Sequence, residues 1–201
     1  MGLLHSNLNR LGGQMRKLVL RISISIDGFI ESSDRNLDFA RTRSPEGAAW
    51  MAEKMGRVDA HLMGRKAFCE MESFWPTATG VLATAMNETP KTVFSKKGFD
   101  PAQASSAKGW ADAKVVTGDL VEEIKALKKL EGKDLMAHGG VEFAQNLVQT
   151  GLVDEFWIAM HPIAAGSGFG LFEKLKNPIY LKLVETKVFS TGAMVNIYRP
   201  E

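Results

Sequence analysis

Apolar residues along the chain follow two periods. From Leu18 to Ile26, Leu20, Ile22, Ile24 and Ile26 alternate with Arg21, Ser23 and Ser25, which predicts a strand. Asp27-Gly28 closes it with turn chemistry, and a polar loop follows from Glu31 to Arg43. Ser44-Pro45 opens a helix, with Ser as N-cap and Pro at the first helical position; Trp50, Met51, Lys54 and Met55 lie on it and Gly56 stands near its end. Ala60 to Met63 is a short apolar strand closed by Gly64, and a helix is expected from about Lys66 to Met71. Pro76 to Gly80 breaks the pattern, and Lys91 to Ser95 is a buried strand. Residues 100–109 have no period, and Ala113 to Val116 is a further short strand. At Asp119 the period becomes helical. Asp119 and Glu122 have capping-box spacing, and Leu120, Val121, Ile124, Leu127 and Leu130 form the stripe that ends at Gly132. Asp134 to Ala137 is a strand, Gly139-Gly140 a turn, and Val141 to Thr150 a helix with Phe143, Ala144, Leu147 and Val148 inward. Val153 to Met160 is a strand, followed by the Gly-rich stretch Ala165 to Gly170. Tyr180 to Phe189 and Ala193 to Tyr198, joined by Ser190-Thr191-Gly192, form a hairpin.

Alternating strands and helices call for right-handed crossovers and a mainly parallel sheet covered on both faces, here with an antiparallel hairpin at one side. Ligands of such sheets sit outside the carboxyl ends of the strands, so the residues just after each strand are the functional candidates. The 201 residues suit one domain. Residues 1–14 are expected to be a disordered or loosely docked extension, too polar for a signal peptide, and residues 15–201 the domain itself. With 45% hydrophobic and 24% charged residues, the chain is neither disordered nor fibrous. A net charge of +2 gives no broad basic field, so nucleic acid is not favoured as a partner. No apolar run approaches the roughly 20 residues of a membrane span. Cys69 is the only cysteine, which forbids an intramolecular disulfide, suits a reducing cytoplasm and removes any cysteine-based zinc cluster. His5, His61 and His161 have no metal-ligand spacing.

Four strand ends carry chemistry. Gly64-Arg65-Lys66 joins a glycine, a helix start and two cations, which suits a phosphate but also describes a tight turn with solvated charges. Ser95-Lys96-Lys97 could hold a 2′-phosphate or form an exposed basic turn. His138-Gly139-Gly140-Val141-Glu142 enters a helix through a glycine pair, a good pyrophosphate cradle, with His138 expected to be packed rather than basic. Asp27, at the sheet mouth, could orient a substrate or relay a proton, and is otherwise a turn residue beside Gly28. Trp50 and Met51 are candidates to line a substrate pocket, or else core. Gly166-Ser167-Gly168-Phe169-Gly170 does not follow the first strand, as a dinucleotide fingerprint must, and is expected to be a tight turn closing over a ligand.

In order, Ser25-Ile26-Asp27-Gly28-Phe29-Ile30, Met63-Gly64-Arg65-Lys66, Val93-Phe94-Ser95, His138-Gly139-Gly140-Val141-Glu142-Phe143, Gly151-Leu152-Val153-Asp154-Glu155 and Pro162 to Gly168 with Leu171-Phe172 resemble the dihydrofolate-reductase-like superfamily. Within it the sequence is most similar to the reductase domain of bacterial riboflavin biosynthesis enzymes and their stand-alone relatives, over residues 16 to about 199. The resemblance implies a three-layer α/β/α fold and an oxidoreductase that binds NADPH. Gly64, Arg65 and Lys66 would approach the phosphates. Ser95, with Lys96 or Lys97, would lie by the adenosine ribose and its 2′-phosphate. Gly139, Gly140, Val141 and Glu142 would cradle the pyrophosphate. Asp27 would face the substrate pocket and, itself or through water held near it, would assist proton delivery, while Asp154 and Glu155 would be structural. The implied reaction is reduction of a ribosylaminopyrimidine or another small carbonyl or imine; a non-catalytic nucleotide-binding protein is the alternative. A homodimer is implied too, through Phe156-Trp157-Ile158 or the terminal hairpin. The family's threonine after Gly-Arg-Lys is Ala67 here, and the zinc deaminase half of the bifunctional enzyme has no counterpart.

Overall fold

A computed structural model describes residues 15–34 and 37–201; the expected N-terminal extension, 1–14, lies outside them. In chain order the first elements are β1 (Leu18–Ser25), β2 (Phe29–Ser32), α1 (Pro45–Met55), β3 (Val58–Gly64), α2 (Arg65–Glu72), α3 (Val81–Glu88) and β4 (Lys91–Phe94). Then come α4 (Pro101–Ala104), β5 (Lys114–Val116), α5 (Leu120–Lys129), β6 (Asp134–Ala137), α6 (Val141–Gln149), β7 (Glu155–His161), β8 (Gly168–Gly170), β9 (Leu181–Val188) and β10 (Met194–Pro200). Single 3-10 turns span Phe39–Thr42 and Trp75–Thr77.

Eight strands form one sheet in the order β5-β4-β3-β6-β1-β7-β10-β9. The first six run parallel, and β10 and β9 add antiparallel at one side. This is the expected mixed, mainly parallel α/β architecture. Alternation along β1 divides the core: Leu18, Leu20 and Ile22 pack under α5 and α6, while Val19 points to the face covered by α1 and α3. α2 closes that second face over Met63 and Val93. The helices begin where their chemistry says: Ser44 Oγ accepts from Gly47 N, and Asp119 accepts from the N–H groups of Val121 and Glu122.

Three expectations need correction. The polar loop after β1 contains strand β2, which pairs antiparallel with β8 in a separate two-stranded ribbon. β8 is the last half of the Gly-rich stretch, so Gly168 to Gly170 are strand while the chain bends at Gly166 and Ser167. Its Gly168 lies against β2 so closely that a Cβ would stand 2.2 Å from the Glu31 carbonyl oxygen. Phe156, Trp157 and Ile158 sit in a strand paired on both sides and are buried, which closes that route to a dimer. The edge strand on the hairpin side is β9, where Leu183, Val184 and Val188 are exposed, as is Tyr180 before it.

Candidate functional site

Where β3, β4, β5 and β6 end, their following turns converge on a cleft of about 1100 Å³. Gly64, Arg65 and Lys66 line it, with Ser95 and Lys96, and with Gly140, Val141 and Glu142. Two helices aim their N-termini into it. α2 starts after Gly64 and α6 after Gly140, and neither has a side-chain cap, so their first N–H groups are free donors at the positive ends of two helix dipoles. Gly140 makes this approach possible. Its φ is +75°, a conformation that favours glycine, and a Cβ there would stand 3.5 Å from the Ala67 Cβ. The alanine that replaces the family's threonine thus forms the floor between the two helix starts. Gly64 is needed as well, since its Cβ would meet that of Phe143 at 3.0 Å.

The cations at the rim differ in what they already hold. Arg65 stacks on Phe99 at 5.2 Å, and among the described residues neither it nor Lys96 has a carboxylate partner. Lys66 is engaged, bonding Glu31 at 3.1 Å and lying 3.6 Å from Glu70. Lys97 does not line the cleft, nor does Gly139, whose Cβ would stand 2.9 Å from Ile22 Cδ1: that glycine lets the chain cross the end of β1. The cleft has further walls that the strand-end reading did not single out. Gly118 and Asp119 follow β5 and obey the same rule, so they were legible in principle. Phe169 comes from the Gly-rich stretch expected to close over a ligand, whereas Glu31 and Glu173 arrive with the β2–β8 ribbon, whose pairing has no local signal. Beyond Gly140 and Val141 a smaller cavity of about 350 Å³ continues between Ile30, Leu37 and Phe39.

Asp27 serves as a clamp. Its carboxylate accepts from Ser25 Oγ at 2.5 Å, from Ala165 N at 3.0 Å and from Gly166 N at 2.7 Å, tying the end of β1 to the loop before β8. The Ser25 hydroxyl, then the Ala165 and Gly166 N–H groups, hold its pKa down at about 2. A carboxylate so occupied is ionised near neutrality and does not itself donate a proton there. Because the folded pKa is lowered, its stabilising effect is present above the ordinary value of 3.8 and lost as pH falls toward 2. Asp27→Asn should therefore melt below wild type at pH 5, with the gap closing between pH 4 and 2 in thermal scans. Trp50 and Met51 are also displaced from their expected place. Met51 is buried in the core under α1, and Trp50 packs on Trp157 and Phe189 at 6.4 and 5.9 Å; neither lines the cleft.

A polar seam crosses the α1 face at the same strand ends. His138 Nε2 and His61 Nδ1 share a hydrogen bond of 2.9 Å, both rings buried. Desolvation holds both pKa values far below the ordinary 6.5, with the Lys91 charge adding to it at His61 and the His61 and Arg21 charges at His138. Both are neutral at pH 7, which fits a packed His138. His161 shares hydrogen bonds with Thr42 Oγ1 at 2.6 Å and Ser23 Oγ at 3.1 Å, and Phe39 stacks on its ring at 4.7 Å. Among the described residues no group of three or more His, Cys, Asp or Glu could hold a metal ion, and no helix is long and apolar enough to cross a membrane.

Comparison with known proteins extends this picture. Residues 16–195 match the family model described as the RibD C-terminal domain. An uncharacterised protein of Bacillus subtilis (strain 168), YyaP, is 30% identical over 192 residues, 92% of this chain and 95% of its own. A Shewanella sp. PV-4 protein put forward for riboflavin biosynthesis has a crystal structure that superposes with a TM-score of 0.74 at 24% identity, covering 92% of this chain and 99% of that one. Dihydrofolate reductase from Enterococcus faecalis, solved with NADP(H), superposes with a TM-score of 0.60 at 16% identity, covering 92% and 96%. The fold is thus dihydrofolate-reductase-like.

Proposed function

The chain belongs to the RibD C-terminal domain family, and on that premise we propose that it is an NADPH-dependent reductase of a small heterocyclic, carbonyl or imine substrate. The riboflavin-pathway type, 5-amino-6-(5-phosphoribosylamino)uracil reduction, is the leading assignment. The observation that carries this reading is the meeting of two uncapped helix N-termini at Gly140, beside a rim whose Arg65 and Lys96 have no carboxylate partner among the described residues. A pyrophosphate fits the free N–H groups, each helix end contributing roughly 0.3–1 kcal/mol toward an anion. Ser95 and Lys96 suit the ribose 2′-phosphate that separates NADPH from NADH. When bound, the nucleotide would supply a hydride. The chain's own part is to fix the phosphates at the α2 and α6 starts and to seat the substrate toward the smaller cavity beside Phe39.

Isothermal titration tests this directly. NADPH should bind at least tenfold more tightly than NADH, and Lys96→Ala with Arg65→Ala should remove most of that preference. Absence of binding by either nucleotide would end the reading. A non-catalytic nucleotide-binding role is the alternative, favoured by the commitment of Asp27 to its loop clamp. NADPH binding without consumption of NADPH across a panel of carbonyl and imine substrates, the aminopyrimidine included, would select it. We further place the protein in a reducing cytoplasm, in keeping with its exposed lone Cys69, and as a homodimer through the exposed edge of β9. Light scattering at twice the chain mass checks the dimer, and Leu183→Lys should lower it to the mass of one chain.

A further inference from the structure

Arg21 stands in the middle of β1, between β6 and β7, on the face covered by α1. A guanidinium in the interior of a sheet ordinarily has a carboxylate beside it, because desolvating an unpaired charge is costly. Arg21 has none among the described residues. Its Nε is sealed from solvent with no hydrogen-bond partner, the residue as a whole is half-buried, and among the described residues no group accepts from its other nitrogens. The charge that acts on it, that of Arg43, has the same sign. Arg43, just before α1, is exposed, stacks over Phe74 and Trp75 at 5.5 and 6.0 Å, and likewise lacks a carboxylate among the described residues; its chain neighbour Thr42 bonds His161, which in turn bonds Ser23 of β1. Burial, and then the Arg43 charge, lower the Arg21 pKa to about 10, so the cation persists at neutral pH. His161, which faces both arginines, is held neutral by desolvation and by their charges. The charged groups around this point are cations, and the missing element among the described residues is an anion.

We propose that Arg21 and Arg43 form an oxyanion-binding pair on the α1 face, built to receive an acidic group of the substrate, a phosphate monoester or a carboxylate. The pair occupies a suitable place. Arg21 adjoins His138, since its neighbour Leu20 is in register with Ala137, and the nucleotide cradle begins at the next residue, Gly139. Phe39, which borders the smaller cavity, stacks on His161, and His161 bonds Ser23, two residues beyond Arg21 on the same face of β1. A substrate entering past Phe39 would carry its acidic end to the arginines. The inference rests on the reductase reading only in taking the anion for part of a substrate.

The test titrates the full chain with inorganic phosphate and, separately, with benzoate, each with and without saturating NADPH. It follows the Nε–H resonance of Arg21 by NMR, assigned with Arg21→Lys. At least one anion should shift that resonance saturably in the NADPH-loaded protein. Arg43→Gln, an exposed change that leaves the core intact, should weaken the binding by about tenfold or more while the NADPH Kd stays within twofold. Which anion saturates at lower concentration separates a phosphate monoester from a carboxylate. If neither anion moves the resonance, or Arg43→Gln binds as tightly as wild type, the pair is no anion site even where NADPH binds normally. A saturable shift in a protein that ignores NADPH would uphold the pair and overturn the reductase reading instead.

Discussion

Replacing Gly140 by valine should raise the Kd for NADPH by about 100-fold or more, a loss near 2.7 kcal/mol. Two effects combine. The backbone at Gly140 has φ +75°, where a β-branched residue carries roughly 1–2 kcal/mol of strain. The new Cβ would lie 3.5 Å from the Ala67 Cβ, so the γ-methyl groups must occupy the gap between the first turns of α2 and α6. That gap is where phosphate oxygens would meet the free N–H groups. Gly151→Ala separates strain from blockage: it too has positive φ, at +67°, but stands after the far end of α6 with nothing within 4 Å of its Cβ. Both variants should melt below wild type, and only Gly140→Val should lose the nucleotide. Titration calorimetry beside thermal scans reads the two quantities. NADPH binding by Gly140→Val within a few-fold of wild type would mean that the cradle is misplaced.

Most of the sheet was legible because most of the parallel strands, β7 excepted, end in glycine chemistry and each long helix begins with a cap or a glycine. Ser44-Pro45, Asp119 and Gly139-Gly140 mark real starts, and the cleft residues follow from the rule that ligands sit at the carboxyl ends of strands. Helix α3 was not legible: Gly80 gives it no side-chain cap, and only Ala83 and Met86 are buried in its eight residues. The β2–β8 ribbon was hidden for a different reason. It joins Phe29 to Gly170 across most of the chain, and three-residue β8 is too short to show a period. Arg21 passed as the polar side of a half-buried strand. Its significance depends on α1 covering that face and on no carboxylate arriving with it, and both are tertiary facts. Asp27 reads as a strand-end carboxylate in the sequence, whereas its partners Ala165 and Gly166 lie 138 and 139 residues away.

Glu155 should carry the largest stability effect, and without touching the nucleotide site. It lies at the first residue of β7, the end of the sheet opposite the cleft, with its side chain only 1% exposed. Its carboxylate accepts from Trp157 Nε1 at 2.9 Å, Arg57 Nη2 at 2.5 Å and Arg199 Nη2 at 2.9 Å, with Lys17 Nζ at 3.3 Å. Arg57 also stacks over Trp157 at 4.9 Å. Glu155→Ala removes the anion that three cations and a buried indole N–H share, leaving only Arg57 with a second carboxylate, Asp134 at 3.2 Å. Breaking a buried pair costs about 3–5 kcal/mol, and the lower end applies because the three cations are part-exposed and can turn to water. For a chain of this size, about 3 kcal/mol lowers Tm by roughly 6–12 °C. Burial by itself would raise the Glu155 pKa, but the Trp157 hydrogen bond, the Arg57 charge and the Arg199 and Arg57 hydrogen bonds outweigh it and bring it to about 2. A lowered folded pKa makes this contribution complete above the ordinary value of 4.5 and lost as pH falls toward 2. The gap in Tm between wild type and Glu155→Ala should therefore be full at pH 7 and shrink steadily below pH 4.5. Glu155→Gln, which keeps the shape and the Trp157 contact, should lie between them, with its NADPH Kd unchanged below its melting range. A gap that persisted undiminished at pH 2 would show that packing, and not the carboxylate's charge, holds this end of the sheet together.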